Sequence, residues 1–240
     1  IALALLDAGD TDGASRVLAF LREGCVTFPD GTVGVRWVEG GDTLNACSTG
    51  ATGLVALRLA TTVSEAGERA ALLELAAACA AFLEGLVDRD GLVADRRRPD
   101  GSVDPGVYTY NQGLLVGLLA GLGRADDALG LAQRVMEAFD AERLWSHAPA
   151  FDAILVRELL RLDASHSDAR VRSWCEAYLE RVWTQARDPA TGLFTAGGIG
   201  RLIISYAQSA SGDPAKPWTA IFAAAALGLV AAGLVSLVGT

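Results

Sequence analysis

Tyr108-Thr109-Tyr110-Asn111-Gln112-Gly113-Leu114-Leu115-Val116-Gly117 crowds two aromatic rings, an Asn and a Gln onto the opening of an otherwise apolar, glycine-rich stretch. Interior helices carry few side-chain hydrogen-bonding groups, because a buried polar group is costly unless a partner satisfies it. A helix that begins this way implies that loops, water or a ligand meet its first turn. The reading that follows is an inner helix whose opening lines a cavity and whose remainder is core.

Outward from this stretch the pattern repeats. Residues 44–60, 108–122 and 151–162 are apolar and rich in Gly and Ala, whereas 13–23, 68–86, 126–139 and 168–186 are charged and amphipathic. The step from apolar to amphipathic is a short turn; the step back is usually a long loop. Each apolar segment opens on polar or aromatic groups: Asn45, then Tyr110-Asn111-Gln112, then Phe151-Asp152. A repeat of two antiparallel helices accounts for all three regularities. The predicted fold is all-α, an (α/α)6-type toroid over residues 1–218 with alternating inner and outer helices. All long loops fall on one rim, and the inner N-termini converge on one concave face, the default ligand site.

Bulk properties narrow the partners. The chain has 240 residues, 51% of them hydrophobic, which supports a sizeable core. Its net charge of −9 disfavours nucleic acid and anionic membrane surfaces, both of which need a basic footprint. Cys25, Cys47, Cys79 and Cys175 follow no metal-ligand spacing and form no disulfide framework. His147 and His166 both fall in expected loops, so no multi-His metal site is expected, and no metal or organic cofactor is implied. The helical pattern is already under way at Ile1, with no initiator Met, charged leader or cleavage site. We therefore expect an incomplete toroid whose first helices precede Ile1. Residues 219–240 carry no charge, long enough for a membrane span, and equally read as an inner helix that closes the ring.

Several segments together resemble glycoside hydrolase family 76, the endo-α-1,6-mannanases and their relatives, which are (α/α)6 barrels. They are residues 1–6 (IALALL), 35–37 (VRW), 44–46 (LNA), 55–59 (VALRL), 91–93 (GLV), 108–113 (YTYNQG) and 151–157 (FDAILVR), in the family's order and near its spacing over roughly residues 1–200. The resemblance implies a retaining glycosidase acting on α-1,6-mannan or a related envelope polysaccharide, with an extracellular or cell-envelope location. It implies catalysis by two adjacent Asp residues on an inner helix, a few positions before the segment matching residues 1–6. Two neighbouring carboxylates suit glycoside cleavage, one attacking or stabilising while the other donates a proton. That position lies upstream of Ile1, so the chain by itself is expected to be inactive. At Asp152 relatives carry a Lys, and from about Leu202 onward the match to the family's last helices ends. A non-catalytic carbohydrate-binding toroid is the alternative; an isomerase on a similar barrel would want His residues in the cavity.

The candidate sugar-binding residues are Tyr110, Asn111, Gln112, Asn45, Trp37, Phe151 and Asp152. Asn111 and Gln112 offer amide donors and acceptors to hydroxyls, or else tie the helix start to a neighbouring loop. Tyr108 and Tyr110 are expected on different sides, with Tyr110 in the cavity. Trp37 either stacks on a pyranose face or plugs its loop. Asn45 either lines the mouth or caps its helix. Asp152 is either a cavity acid or the N-terminal charge of its helix. Arg157 is expected to pair with a buried acid. Asp126-Asp127 reads as capping and dipole compensation at the start of an outer helix. Asp104 reads as a turn residue, and Arg96-Arg97-Arg98 as a solvated loop run.

Overall fold

The computed structural model describes residues 1–147 and 149–186. Its centre is the helix that begins at the aromatic-amide run, α5 (Thr109–Gly121), in which Asn111 through Leu119 are all buried. No polar face remains, as expected of a helix enclosed by others. Three further helices of this inner type are α1 (Ala2–Asp7), α3 (Ala46–Leu59) and α8 (Pro149–Ser165). They pack side by side in the order α1, α3, α5, α8.

Each inner helix is followed by an antiparallel outer mate: α2 (Thr11–Glu23), α4 (Ala66–Glu84), α6 (Ala125–Ala138) and α9 (Ala169–Arg181), with a short α7 (Ala141–Trp145) between α6 and α8. The outer helices bury one stripe. Helix α6 buries Ala128, Leu131, Ala132 and Val135, the i, i+3, i+4, i+7 set of a helix lying on a core. A π-helical turn (Val182–Ala186) follows α9. This is the expected alternation of an α/α toroid. The charge-free segment 219–240 lies outside the described residues. Among the described residues, no helix is long and apolar enough to cross a membrane.

The inner helices approach closely because glycines permit it. A Cβ on Gly113 would sit 2.6 Å from the Leu155 Cα, so α5 and α8 touch backbone to backbone there. At the C-terminal end of the inner ring, Arg58 and Arg161 both reach Asp7, at 2.6 and 3.3 Å. Glu158, 3% exposed, is held by Arg157 at 2.7 Å and Arg161 at 3.2 Å, the buried-acid pairing expected for Arg157.

The long loops differ from expectation: they contain strands. β1 (Cys25–Thr27) and β2 (Val33–Val35) form an antiparallel hairpin. β3 (Leu44–Asn45), β4 (Ala94–Arg97) and β5 (Val103–Val107) form a second sheet in the order β3-β4-β5. The triple-arginine run is thus largely a strand, paired on both sides. β3 leads straight into α3, and β5 into α5 through Tyr108, so the sheet stands over the N-termini of two inner helices.

Side-chain caps fall on three of the four outer helices, α6 being the exception. The outer helices α2, α4 and α9 have side-chain caps from Asp10, Glu65 and Asp168. Asp10 accepts from the Gly13 N–H at 2.7 Å. Inner helices α3 and α5 begin at Asn45 and Tyr108 in extended conformation, with no side-chain cap. First-turn N–H groups left this way look for partners outside the helix.

Candidate functional site

The site grows from the two sheet-to-helix junctions. At the first, Asn45 holds the N-cap position of α3, is 5% exposed, and its side chain makes no capping bond. Its Oδ1 is buried without a partner, so the capping alternative is excluded. At the second, Asn111 lies in the first turn of α5, fully buried, with neither Oδ1 nor Nδ2 making a hydrogen bond of good geometry. Two buried amides with unmet demand at adjacent inner-helix starts are the strongest local sign of a binding function. Each orphaned group costs about 1–3 kcal/mol until water or a ligand supplies its bond.

An acid that the sequence reading passed over stands beside them. Asp95, on β4, has its side chain 15% exposed, 3.8 Å from Arg96 Nε. Burial pushes its carboxyl above the usual range, opposed by the Arg96 guanidinium and the Asn111 amide and reinforced by Asp104. Asn111 is therefore near enough to influence the carboxyl while still lacking a bond of good geometry. Asp95 follows the 91–93 segment by two residues, in a stretch read as an irregular loop; strand alternation beyond Val93 was the signal that could have marked it.

Aromatic rings form one wall. Tyr108 and Tyr110 stack at 5.3 Å between centroids, 8° from parallel, and Tyr110 meets Phe151 at 5.3 Å. The two tyrosines share a side, contrary to expectation, because Tyr108 is still extended when the helix begins (φ −124, ψ 144). Thr109 between them points inward instead. The Tyr108 hydroxyl is pushed up by burial and by the Asp95 and Asp104 carboxylates. Trp37 is half-buried on the loop after the Arg36–Leu44 bridge, its backbone N–H donating to the Thr43 carbonyl at 3.2 Å.

Two expected sugar ligands have other tasks. Gln112, fully buried, accepts from the Val93 N–H at 2.8 Å and donates to the Val93 and Tyr108 carbonyls at 2.8 and 3.1 Å. Its amide is spent on fastening the β4 lead-in to α5, so the loop-tying alternative holds for this residue. Asp152, also fully buried, accepts from Thr109 Oγ1 at 2.7 Å and from the Tyr178 hydroxyl at 3.1 Å, with His147 Nδ1 at 3.5 Å. It joins α5, α8 and α9 behind the wall rather than acting in the cavity. Burial, followed by the Asp152 charge, raises the Tyr178 phenol.

Asp126 and Asp127 stand in the first turn of α6, where Arg124 pairs with Asp127 at 2.7 Å, as expected of an outer-helix start. Among the described residues no three His, Cys, Asp or Glu side chains gather into a metal-binding group. The arrangement suits a neutral polyhydroxyl ligand: buried amides, one carboxylate, uncapped helix N–H groups and an aromatic wall.

The family model for glycosyl hydrolase family 76 matches residues 31–158. Among solved structures, the family 76 mannosidase Bt3792 from Bacteroides thetaiotaomicron VPI-5482 is similar with a TM-score of 0.65 at 19% identity, over 78% of this chain and 56% of that one. The α-1,6-mannanase GH76A of Salegentibacter sp. HEL1_6 is similar as an inactive variant, two consecutive aspartates replaced by asparagine, in complex with α-1,6-mannotriose. There the TM-score is 0.63 at 23% identity, over 78% of this chain and 61% of that one. A D-mannose isomerase shares the fold with a TM-score of 0.62 at 16% identity, over 82% of this chain and 59% of that one. The chain thus spans between half and two thirds of the length of these solved relatives. No curated protein matches it by sequence.

Proposed function

The chain belongs to glycosyl hydrolase family 76, and from that premise we propose that its concave face binds α-1,6-linked mannan or a related envelope glycan. The observation that carries the reading is the pair of unmet amides, Asn45 and Asn111, beside Asp95 at two uncapped inner-helix starts. Sugar hydroxyls, each both donor and acceptor, fit that demand better than a charged or apolar ligand would. Tyr110 and Phe151 supply a face for the apolar side of a pyranose ring, and Trp37 a further one from the rim.

Cleavage is a separate part of the proposal. In the whole sequence two acids adjoin only at Asp126-Asp127, which serve an outer helix. The aspartate pair replaced in the inactive Salegentibacter variant has no equivalent among this chain's inner helices described here. On this reading residues 1–240 bind mannan and do not hydrolyse it by themselves. An isomerase reading gains nothing from the histidines: His147 sits against Phe139 and Asp152, and His166 is exposed at the end of α8.

Titration calorimetry of the purified chain with α-1,6-mannotetraose, paired with a reducing-end assay, tests both parts. Binding weakened by Asn111→Ala, without release of reducing ends, is the expected result. Absence of mannotetraose binding would overturn the ligand assignment. Hydrolysis by residues 1–240 would overturn the second part. Binding that persists while no longer chain of this protein hydrolyses mannan would favour the non-catalytic toroid.

A further inference from the structure

The arginine run that reads as a solvated loop walls a second cavity. A cleft of about 550 Å³ opens beside the strand junction, its lining including Phe28, Arg36, Asp42, Leu44, Arg97 and Arg98. Leu44 immediately precedes Asn45, and successive strand residues lie about 3.3 Å apart on opposite faces, so cleft and mouth are neighbours across one strand.

Its charge is the reverse of the molecule's. In a chain of net charge −9, three guanidinium groups face this cleft against one carboxylate, that of Asp42. Arg98 shares Asp104 with Arg96, at 2.7 and 3.0 Å, so one acid serves two cations. Arg97 is held by ring faces, its guanidinium carbon 5.2 Å from the Phe28 centroid and 5.3 Å from that of Phe82; its charge also reaches the exposed Asp30 on the β1–β2 turn. Arg36, half-buried, has no side-chain hydrogen bond or ion pair among the described residues. Guanidinium groups gathered with so little neutralisation are poised for an anion, and the planar donor fork matches carboxylate and phosphoryl oxygens.

We propose that this cleft is an anion-binding subsite that takes a phosphoryl or carboxylate group carried on a sugar. The volume lies in the range of small-molecule pockets and exceeds what a bare anion fills, so the anion arrives attached to a ring. That the ring is a sugar rests on the glycan reading of the neighbouring mouth; the charge of the ligand does not. An acidic substituent on the glycan would be read here while its neutral backbone is read at Asn45 and Asn111.

The experiment titrates the chain with mannose 6-phosphate, glucuronate, methyl α-mannoside and inorganic phosphate at low and high salt, alongside neutral α-1,6-mannotetraose. One acidic sugar should bind, more weakly at high salt, and methyl α-mannoside should not reproduce it; whether phosphate or uronate prevails identifies the source of the anion. Arg36→Gln should weaken that binding about tenfold, the scale of one charge-assisted hydrogen bond, with mannotetraose affinity unchanged. Asp42→Asn, which removes the opposing carboxylate, should tighten it. Binding of neither acidic sugar, or an affinity indifferent to both substitutions, would overturn the proposal. Inorganic phosphate bound as tightly as the phosphosugar would overturn its sugar component. Loss of mannotetraose binding beside intact acidic-sugar binding would instead fail the mouth and leave the cleft standing.

Discussion

Replacing Gln112 by Leu separates a structural fastener from a sugar ligand. The Gln112 amide makes three hydrogen bonds to backbone, two of them to Val93, which is itself fully buried. Leucine fills a similar space and supplies none of the three. The Val93 N–H is then orphaned where water cannot reach it, a loss of about 1–3 kcal/mol, and its carbonyl adds about 1 kcal/mol. The Tyr108 carbonyl belongs to an exposed residue and regains water. Burial of the leucine methyl groups returns about 1 kcal/mol. The net destabilisation is about 1–3 kcal/mol, about 2 at the centre of the range. With a urea dependence of roughly 2–3 kcal/mol per molar for a domain of this size, the unfolding midpoint should fall by about 1 M. Mannotetraose affinity measured well below that midpoint should stay within about twofold of the unsubstituted chain, since the amide faces backbone and not the mouth. A midpoint moved by less than about 0.3 M together with lost affinity would refute the reasoning and restore Gln112 as a ligand.

Asp95→Asn should trade affinity for stability. Burial raises the Asp95 carboxyl in the folded chain, so the fold disfavours its charge, and stability falls as pH rises from the unfolded pKa of about 4 through the folded one. The neutral variant escapes that penalty. Its melting temperature should exceed that of the unsubstituted chain at pH 7 and converge with it below about pH 3, while mannotetraose binds more weakly; a variant less stable at pH 7 would contradict the cause assigned. Gly113→Ala should destabilise by about 1–3 kcal/mol in urea, because the new Cβ meets Leu155 backbone that cannot move aside. Gly130→Ala is the matched control on α6, where only the far end of Arg134 lies near, and should stabilise by about 0.5–1 kcal/mol through helix propensity.

The features legible in the sequence are those whose cause is local. Helix period and burial follow from the spacing of apolar residues along one segment, so α6 was readable from Ala128, Leu131, Ala132 and Val135 alone. The alternation of inner and outer helices, and the rim on which the loops gather, followed from comparing segments. The 108–113 run marked a helix start rich in polar groups, and there Asn111, like Asn45 at the start of α3, is buried with unmet bonds.

Tertiary structure decided which polar groups are free to act. A buried side chain's partner is set by whatever the fold brings against it, and the distances along the chain are long: Gln112 meets Val93 across 19 residues, Asp152 meets Tyr178 across 26 and Thr109 across 43. Neighbouring amides at 111 and 112 thereby part company, one left without a bond of good geometry and one spent on backbone. The same cause hid the strands in the long loops, since a ladder of two to five residues has too little internal period to announce itself and forms only once its neighbour is in place. Asp95 and Arg97 became visible with that sheet, one turned toward the mouth and the other laid over two phenylalanine rings. Periodicity belongs to a segment and survives in one dimension. Satisfaction of a polar group belongs to a neighbourhood, and only the folded chain has one.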